Sequence, residues 1–206
     1  MRFDYTQSAG DLWVRVPTFR TAYLKNILRS DSFIPLLALF RHAHDPVKEF
    51  TESYSALKHL ARWKGIPKTV YHIGDGAYAR TAALFAFFTQ HNNIAVDPLT
   101  DVSKCAAWRD EFAVRRYQFV RQKVEDYQFG DEPCLVTFVH AHVDTDSVLD
   151  RLGDSWVAAY TCACCQPFQQ LGSKYAPLDE GDDWGILSPQ RRFRVFVNPK
   201  LTMVSA

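Results

Sequence analysis

Gly74-Asp75-Gly76 separates one apolar run from another, and two glycines within three residues favour a tight turn. A turn that opens a helix presents unpaired backbone N–H groups at the positive end of the helix dipole. Such a site receives anionic or strongly polar ligand groups without a charged side chain. Asp97 closes the next short apolar run. It stands about 20 residues on, the spacing at which an acid meets ribose hydroxyls. Asp126, His140 and Cys162 fall at the ends of three later runs. The pattern implies a nucleotide-like ligand lying across a row of strand ends.

His140 and His142 project to one side if the strand before them continues. Imidazole titrates near neutrality, so the pair suits a general base. Capping the following helix is the equally weighted alternative. Cys162, Cys164 and Cys165 carry zinc-type ligands, but C-x-C-C is unlike the usual knuckle. A buried strand end explains them better, and no metal is expected. Glu49, Glu52 and Tyr54, further upstream, either reach one end of the ligand or form a solvent face, and the solvent face is the preferred reading. Arg115, Arg116, Arg121, Lys123 and the run Gln190 to Arg194 mix cations with aromatics, as RNA-facing surfaces do. A solvated charged face is the preferred reading.

The elements that must position these residues follow from periodicity. Thr69 to Ile73 is β-branched and aromatic, hence a strand, and Ala79 to Gln90 continues as an apolar helix. Asn93 to Val96 and Tyr117 to Val120 are short strands, with a helix over 102–114 between them. Cys134 to Val139 is almost unbroken in apolar character, as a central parallel strand requires. A helix capped by Asp144 or Thr145 runs to Leu152, Ser155 to Tyr160 is the next strand, and Gln190 to Val197 alternates as an antiparallel edge strand would. Residues 1–68 read as helical with one extended piece at Leu12 to Pro17. Asp31 or Ser32 caps one helix there, Asp45-Pro46 opens another, and Gly65 ends it. The fold class is α/β: a doubly wound, mostly parallel sheet with helices on both faces and a helical N-terminal extension. Repeats and linkers are lacking, so 1–206 is expected to form a single domain.

Composition is that of an ordinary globular chain: 47% hydrophobic, 23% charged, with a net charge of +1 over 206 residues. Near-neutral charge argues against a global pull toward nucleic acid. The longest apolar runs are too short to span a bilayer. Five cysteines, three of them crowded, do not form a disulfide framework. An intracellular, cytoplasmic setting is expected.

Gly74 to Ala79 fits G-x-G-x-x-A, a fingerprint also used for NAD. Val70 to Tyr78 also resembles motif I of the class I S-adenosylmethionine-dependent methyltransferases, departing at His72, where an acid is common, and at Tyr78, where a third glycine is common. Asp97-Pro98, Lys123 to Tyr127, His140-Ala141-His142 and the closing strand resemble the later segments of that superfamily. More narrowly, LVTFVHAH…YTCACCQPFQ is similar to a methyltransferase-like group with a histidine after strand four and paired cysteines after strand five. The resemblance implies a Rossmann-like fold with S-adenosyl-L-methionine as cofactor. His72, Gly74, Asp75 and Gly76 then meet its methionine part, Asp97 its ribose and Asp126 its adenine, with His140 and His142 as catalytic candidates. The methyl acceptor is a small molecule, RNA or protein. Two rivals stand beside this expectation: a non-catalytic methyltransferase-like module with a protein or RNA assembly partner, and an NAD-dependent oxidoreductase.

Overall fold

The computed structural model describes residues 3–7, 13–17, 22–28, 33–63, 67–162 and 174–202. Strands β1 (Phe3–Gln7) and β2 (Trp13–Pro17) pair antiparallel in a two-stranded sheet of their own. The extended piece expected near Leu12 is β2. Its partner FDYTQ carries little apolar signal, and pairing with β2 rather than local preference makes it a strand. Helices α1 (Ala22–Leu28), α2 (Phe33–Phe40) and α3 (Pro46–Leu60) follow. Asp45 caps α3 by accepting the Lys48 amide at 3.1 Å, with Pro46 in the first turn. Such a cap is worth about 1 kcal/mol. Asp31, Ser32 and Gly65, expected at helix ends, lie outside the described residues.

The core alternates as its periodicity requires. Its elements are β3 (Thr69–Ile73), α4 (Arg80–Phe88), β4 (Asn92–Val96), α5 (Val102–Glu111), β5 (Tyr117–Val120), β6 (Cys134–Val139), α6 (Thr145–Leu152) and β7 (Trp156–Cys162). After them come β8 (Asp179–Asp182), β9 (Arg192–Val197) and the short α7 (Pro199–Thr202). Seven strands form one sheet in the order β5-β4-β3-β6-β7-β9-β8. Strands β3 to β7 run parallel, while β9 is antiparallel to β7 and to β8. The antiparallel strand is therefore one place in from the edge, and β8 lies outside it. The sequence DEGD of β8 has no strand preference of its own. It is held by pairing with β9, where Glu180 accepts Arg194 at 2.8 Å and approaches Arg192 at 3.7 Å. The basic residues that open β9 thus face an acid of its own hairpin.

Side chains alternate across the sheet into two apolar layers. On one face Val70, Ala95, Leu135, Ala158 and Val195 pack with residues of α1 to α5, among them Leu36, Phe50, Phe85 and Trp108. On the other, Tyr71, Ile73, Val136, Phe138 and Phe196 meet Val148, Leu149 and Leu152 of α6, with Tyr127 and Phe129 from the loop after β5. Every residue of β6 and β7 is buried, as expected of central strands. No helix among the described residues is long and apolar enough to cross a membrane. The order of the strands reverses between β3 and β6, which run parallel, and a crevice opens beyond their carboxyl ends.

Candidate functional site

The crevice is a cavity of about 930 Å³ walled by four strand-end segments and by α3. Gly74, Asp75 and Gly76 come from the turn after β3, Asp97 from the end of β4, Glu125 and Asp126 from the turn after β5, and His140 and His142 from the end of β6. Of the residues singled out from sequence, seven of the eight proposed site residues line this space. His72 does not.

The glycine turn is built by close approach. Gly74 has φ +68°, and a Cβ there would sit 2.8 Å from the Cα and Cβ of Ala141. Only glycine lets the β3 turn and the β6 turn touch. Gly74→Ala is expected to destabilise the protein by about 2 kcal/mol, through the left-handed backbone and the clash together. A denaturant titration that shifts the midpoint at constant slope tests this. Gly76, at φ +69°, donates its amide to Asp97 Oδ2 at 2.9 Å, and the space around its absent side chain is open.

Asp97 is buried and also accepts the Leu99 amide through Oδ1 at 2.6 Å. Two of its roughly four lone-pair sites are thereby used, leaving acceptor capacity toward the cavity. Asp75 turns away from the loop to cap α4, accepting the amides of Thr81 and Ala82 at 2.9 and 2.8 Å. It replaces the cap that Ala79, left-handed at φ 48°, lacks. Burial pushes the Asp75 carboxyl up to about 7, against the downward pull of those amides.

His72 sits inside the sheet. Asn93 donates its amide to the carbonyls of His91 and Arg116, so its Oδ1 accepts the Nε2–H of His72 at 3.2 Å. Nδ1 of His72 then accepts the Thr137 hydroxyl at 2.8 Å. Burial pushes the imidazole down to about 3, so it is neutral at pH 7. A fully satisfied neutral ring bridges three adjacent strands at the motif's acid position. Tyr78, at the third-glycine position, also stays off the cavity wall. Its ring lies beneath the cations of Arg80 and Lys104, 4.6 and 5.5 Å from the centroid.

Strand β6 stops at Val139, and His140 adopts φ 59°. The alternation that was to aim both histidines the same way therefore does not continue, yet both line the cavity. A β-capable residue held left-handed stores strain of the kind found at functional sites. Nε2 of His140 bonds to the carboxylate of Glu52 on α3. Glu52 is 0% exposed, which corrects its reading as part of a solvent face. On α3 the buried side extends beyond the apolar stripe to Thr51, Glu52, Ser53 and Ser55. The available signal was this run of small hydroxyl residues in mid-helix, where an exposed face favours longer side chains. Glu49, also on α3, lines the cavity and holds Arg80 Nη1 at 2.7 Å. Cys162 is buried at the end of β7. Cys164 and Cys165 lie outside the described residues. Among the described residues no group of three His, Cys, Asp or Glu side chains is arranged to hold a metal.

No family model matches the sequence. No curated protein matches it. Among solved structures, the chain is similar to a candidate O-methyltransferase of Nostoc punctiforme PCC 73102, with a TM-score of 0.58 and 10% identity over 88% of this chain and 70% of that one. It is similar to a variant of MtNAS at TM-score 0.57 and 11% identity, covering 87% of this chain and 69% of that chain. A variant of MtNAS in complex with S-adenosylmethionine gives a TM-score of 0.53 and 10% identity, covering 87% and 71%. The chain spans 41% of the length of WbdD, at 20% identity over 77% of this chain and a TM-score of 0.49. The fold is thus Rossmann-like, shared with these proteins at identities that speak for architecture alone.

Proposed function

We propose that the chain is an S-adenosyl-L-methionine-dependent methyltransferase. The observation that carries this reading is the convergence of the Gly74–Gly76 turn, Asp97 and the Glu125-Asp126 turn on one cavity at the switch point of the sheet. A fold shared with a protein crystallised with S-adenosylmethionine supports it. The residues present suit that group. The space over Gly76 is open, Asp97 keeps acceptor capacity for ribose hydroxyls, and Asp126 is an exposed acceptor on the wall. When bound, the cofactor supplies an electrophilic methyl group. The chain's own contribution is then largely positioning. Gly74 and Gly76 receive the polar methionine end, with Asp75 bracing the turn through α4. Asp97 orients the ribose and Asp126 the adenine. His140, with His142 at the same mouth, accepts a proton from the acceptor. The N-terminal helices belong to the same working unit, because α3 supplies Lys48, Glu49 and Ser53 to the cavity wall.

Calorimetric titration with S-adenosylhomocysteine and with NAD tests the proposal. The expected result is micromolar binding of S-adenosylhomocysteine and none of NAD. Binding of NAD alone overturns it in favour of an oxidoreductase. Failure of both at millimolar concentration overturns it in favour of an interaction module, the reading that His72 at the acid position favours.

A further inference from the structure

Among the described residues Glu52 is the one fully buried carboxylate beside the cavity, and it is not part of the wall. It lies behind His140 on α3, with no exposed surface. One oxygen bonds Nε2 of His140, and the other has no hydrogen-bond partner among the described residues. A buried carboxylate oxygen without a partner is costly, so its retention calls for a compensating role. Five other acids line the cavity; Glu125 and Asp126 stand at the turn after β5, and the other three are engaged elsewhere. Asp75 is held by α4 amides, Glu49 by Arg80, and Asp97 by the Gly76 and Leu99 amides. Lys48 and His142 face the same space from the wall. The imidazole itself is on a strained left-handed residue, so its direction is set by its contacts and not by a regular strand.

We propose that Glu52 is a positioning residue that makes His140 a base. The carboxylate accepts Nε2–H and so fixes the tautomer whose lone pair is on Nδ1. When an acceptor's O–H or N–H bond breaks, its electron pair stays on the nucleophilic atom and the proton goes to Nδ1. The imidazolium so formed is balanced by the Glu52 carboxylate at its other nitrogen. The logic is that of a nucleophile's base oriented by a third group. It rests on the methyltransferase reading for the identity of the acceptor step, but not for the state of the imidazole. The arrangement serves a nucleophile that still carries its proton, and offers nothing to one that arrives already anionic.

Nitrogen-detected NMR of the imidazole in the full-length, uniformly 15N-labelled protein tests this without any cofactor. The wild type is expected to hold neutral His140 as the Nε2–H tautomer. Glu52→Gln keeps an oxygen that accepts Nε2–H but removes the charge. It should retain the tautomer while lowering the His140 midpoint by about one unit, a tenfold loss of proton affinity. Glu52→Ala should lose both. An Nδ1–H tautomer in the wild type overturns the proposal whether or not the variants fold, and so does an unmoved midpoint in a folded Glu52→Gln protein. Loss of S-adenosylhomocysteine binding in the wild type instead overturns the cofactor assignment, and leaves the imidazole result standing.

Discussion

Asp97→Ala is expected to weaken S-adenosylhomocysteine binding roughly hundredfold, about 2.8 kcal/mol. Two effects combine. The substitution removes the acceptor proposed for the ribose hydroxyls, and charge-assisted hydrogen bonds are the stronger kind. It also frees the amides of Gly76 and Leu99, which Asp97 holds at 2.9 and 2.6 Å, so the turn loses the preorganisation that favours a ligand. Asp97→Asn separates the two. An amide keeps one carbonyl acceptor, and the loop should be held in part while the carboxylate's share is lost. Calorimetric affinity for both variants, read beside their melting temperatures, checks the assignment. An affinity unchanged in Asp97→Ala would show that the ribose lies elsewhere.

The largest expected effect on stability lies away from the cavity, at Asp183. Its carboxylate accepts Tyr23 of α1 at 2.5 Å, Ser55 of α3 at 2.6 Å, His59 of α3 at 3.1 Å and the Gly185 amide at 2.9 Å. Ser55 in turn accepts the Tyr160 hydroxyl of β7 at 2.8 Å, so one acid ties two helices and a central strand to the loop after β8. Burial pushes the carboxyl up, but the bonds from His59, Ser55, Tyr23 and Gly185 outweigh it and hold it well below the usual carboxylate range. Asp183→Ala leaves four donors without their acceptor, two of them, Tyr23 and Ser55, buried. The expected loss is about 3–5 kcal/mol, the range for breaking a buried charged network by removing one partner. In a chain of this size that lowers the melting temperature by roughly 10 °C or more.

The pH dependence has a definite sign. A carboxyl depressed in the folded state contributes stability that is fully present above its unfolded value, about 4. That contribution is lost as pH falls below it toward the folded value. Acid titration of unfolding free energy should therefore be flatter for Asp183→Ala than for the wild type below about pH 4. Equal acid slopes would mean that the network does not hold the ionised form.

Local signals carried most of the architecture. β5 and β6 lie over the same residues that periodicity assigns to them, and α6 begins at the Asp144 cap. These agree because alternation, apolar runs and caps are written within a few residues of the element they specify. Sequence order also lined up Gly74, Asp97, Asp126 and His140 at strand ends, because parallel strands joined by helices bring their carboxyl ends to one side. β1 and β8 were illegible for the converse reason. FDYTQ and DEGD become strands by pairing with the next strands, β2 and β9, and not by their own composition, and β8 is held by arginines of β9.

Around the Gly74-Asp75-Gly76 turn, residue type alone predicted a tight turn leading into a helix and pointing to a polar ligand. Tertiary structure decided what each neighbour does. His72 looks like a lost ligand until Asn93 and Thr137 close around it inside the sheet. Glu52 looks solvated until α3 is laid against β6 and β7, where it becomes a buried partner of His140. A helix's apolar stripe is a local property, but which polar residues beside that stripe are buried depends on what packs against them. That is settled only when elements distant in sequence meet, and the candidate base and its carboxylate, just after β6 and on α3, meet only in the fold.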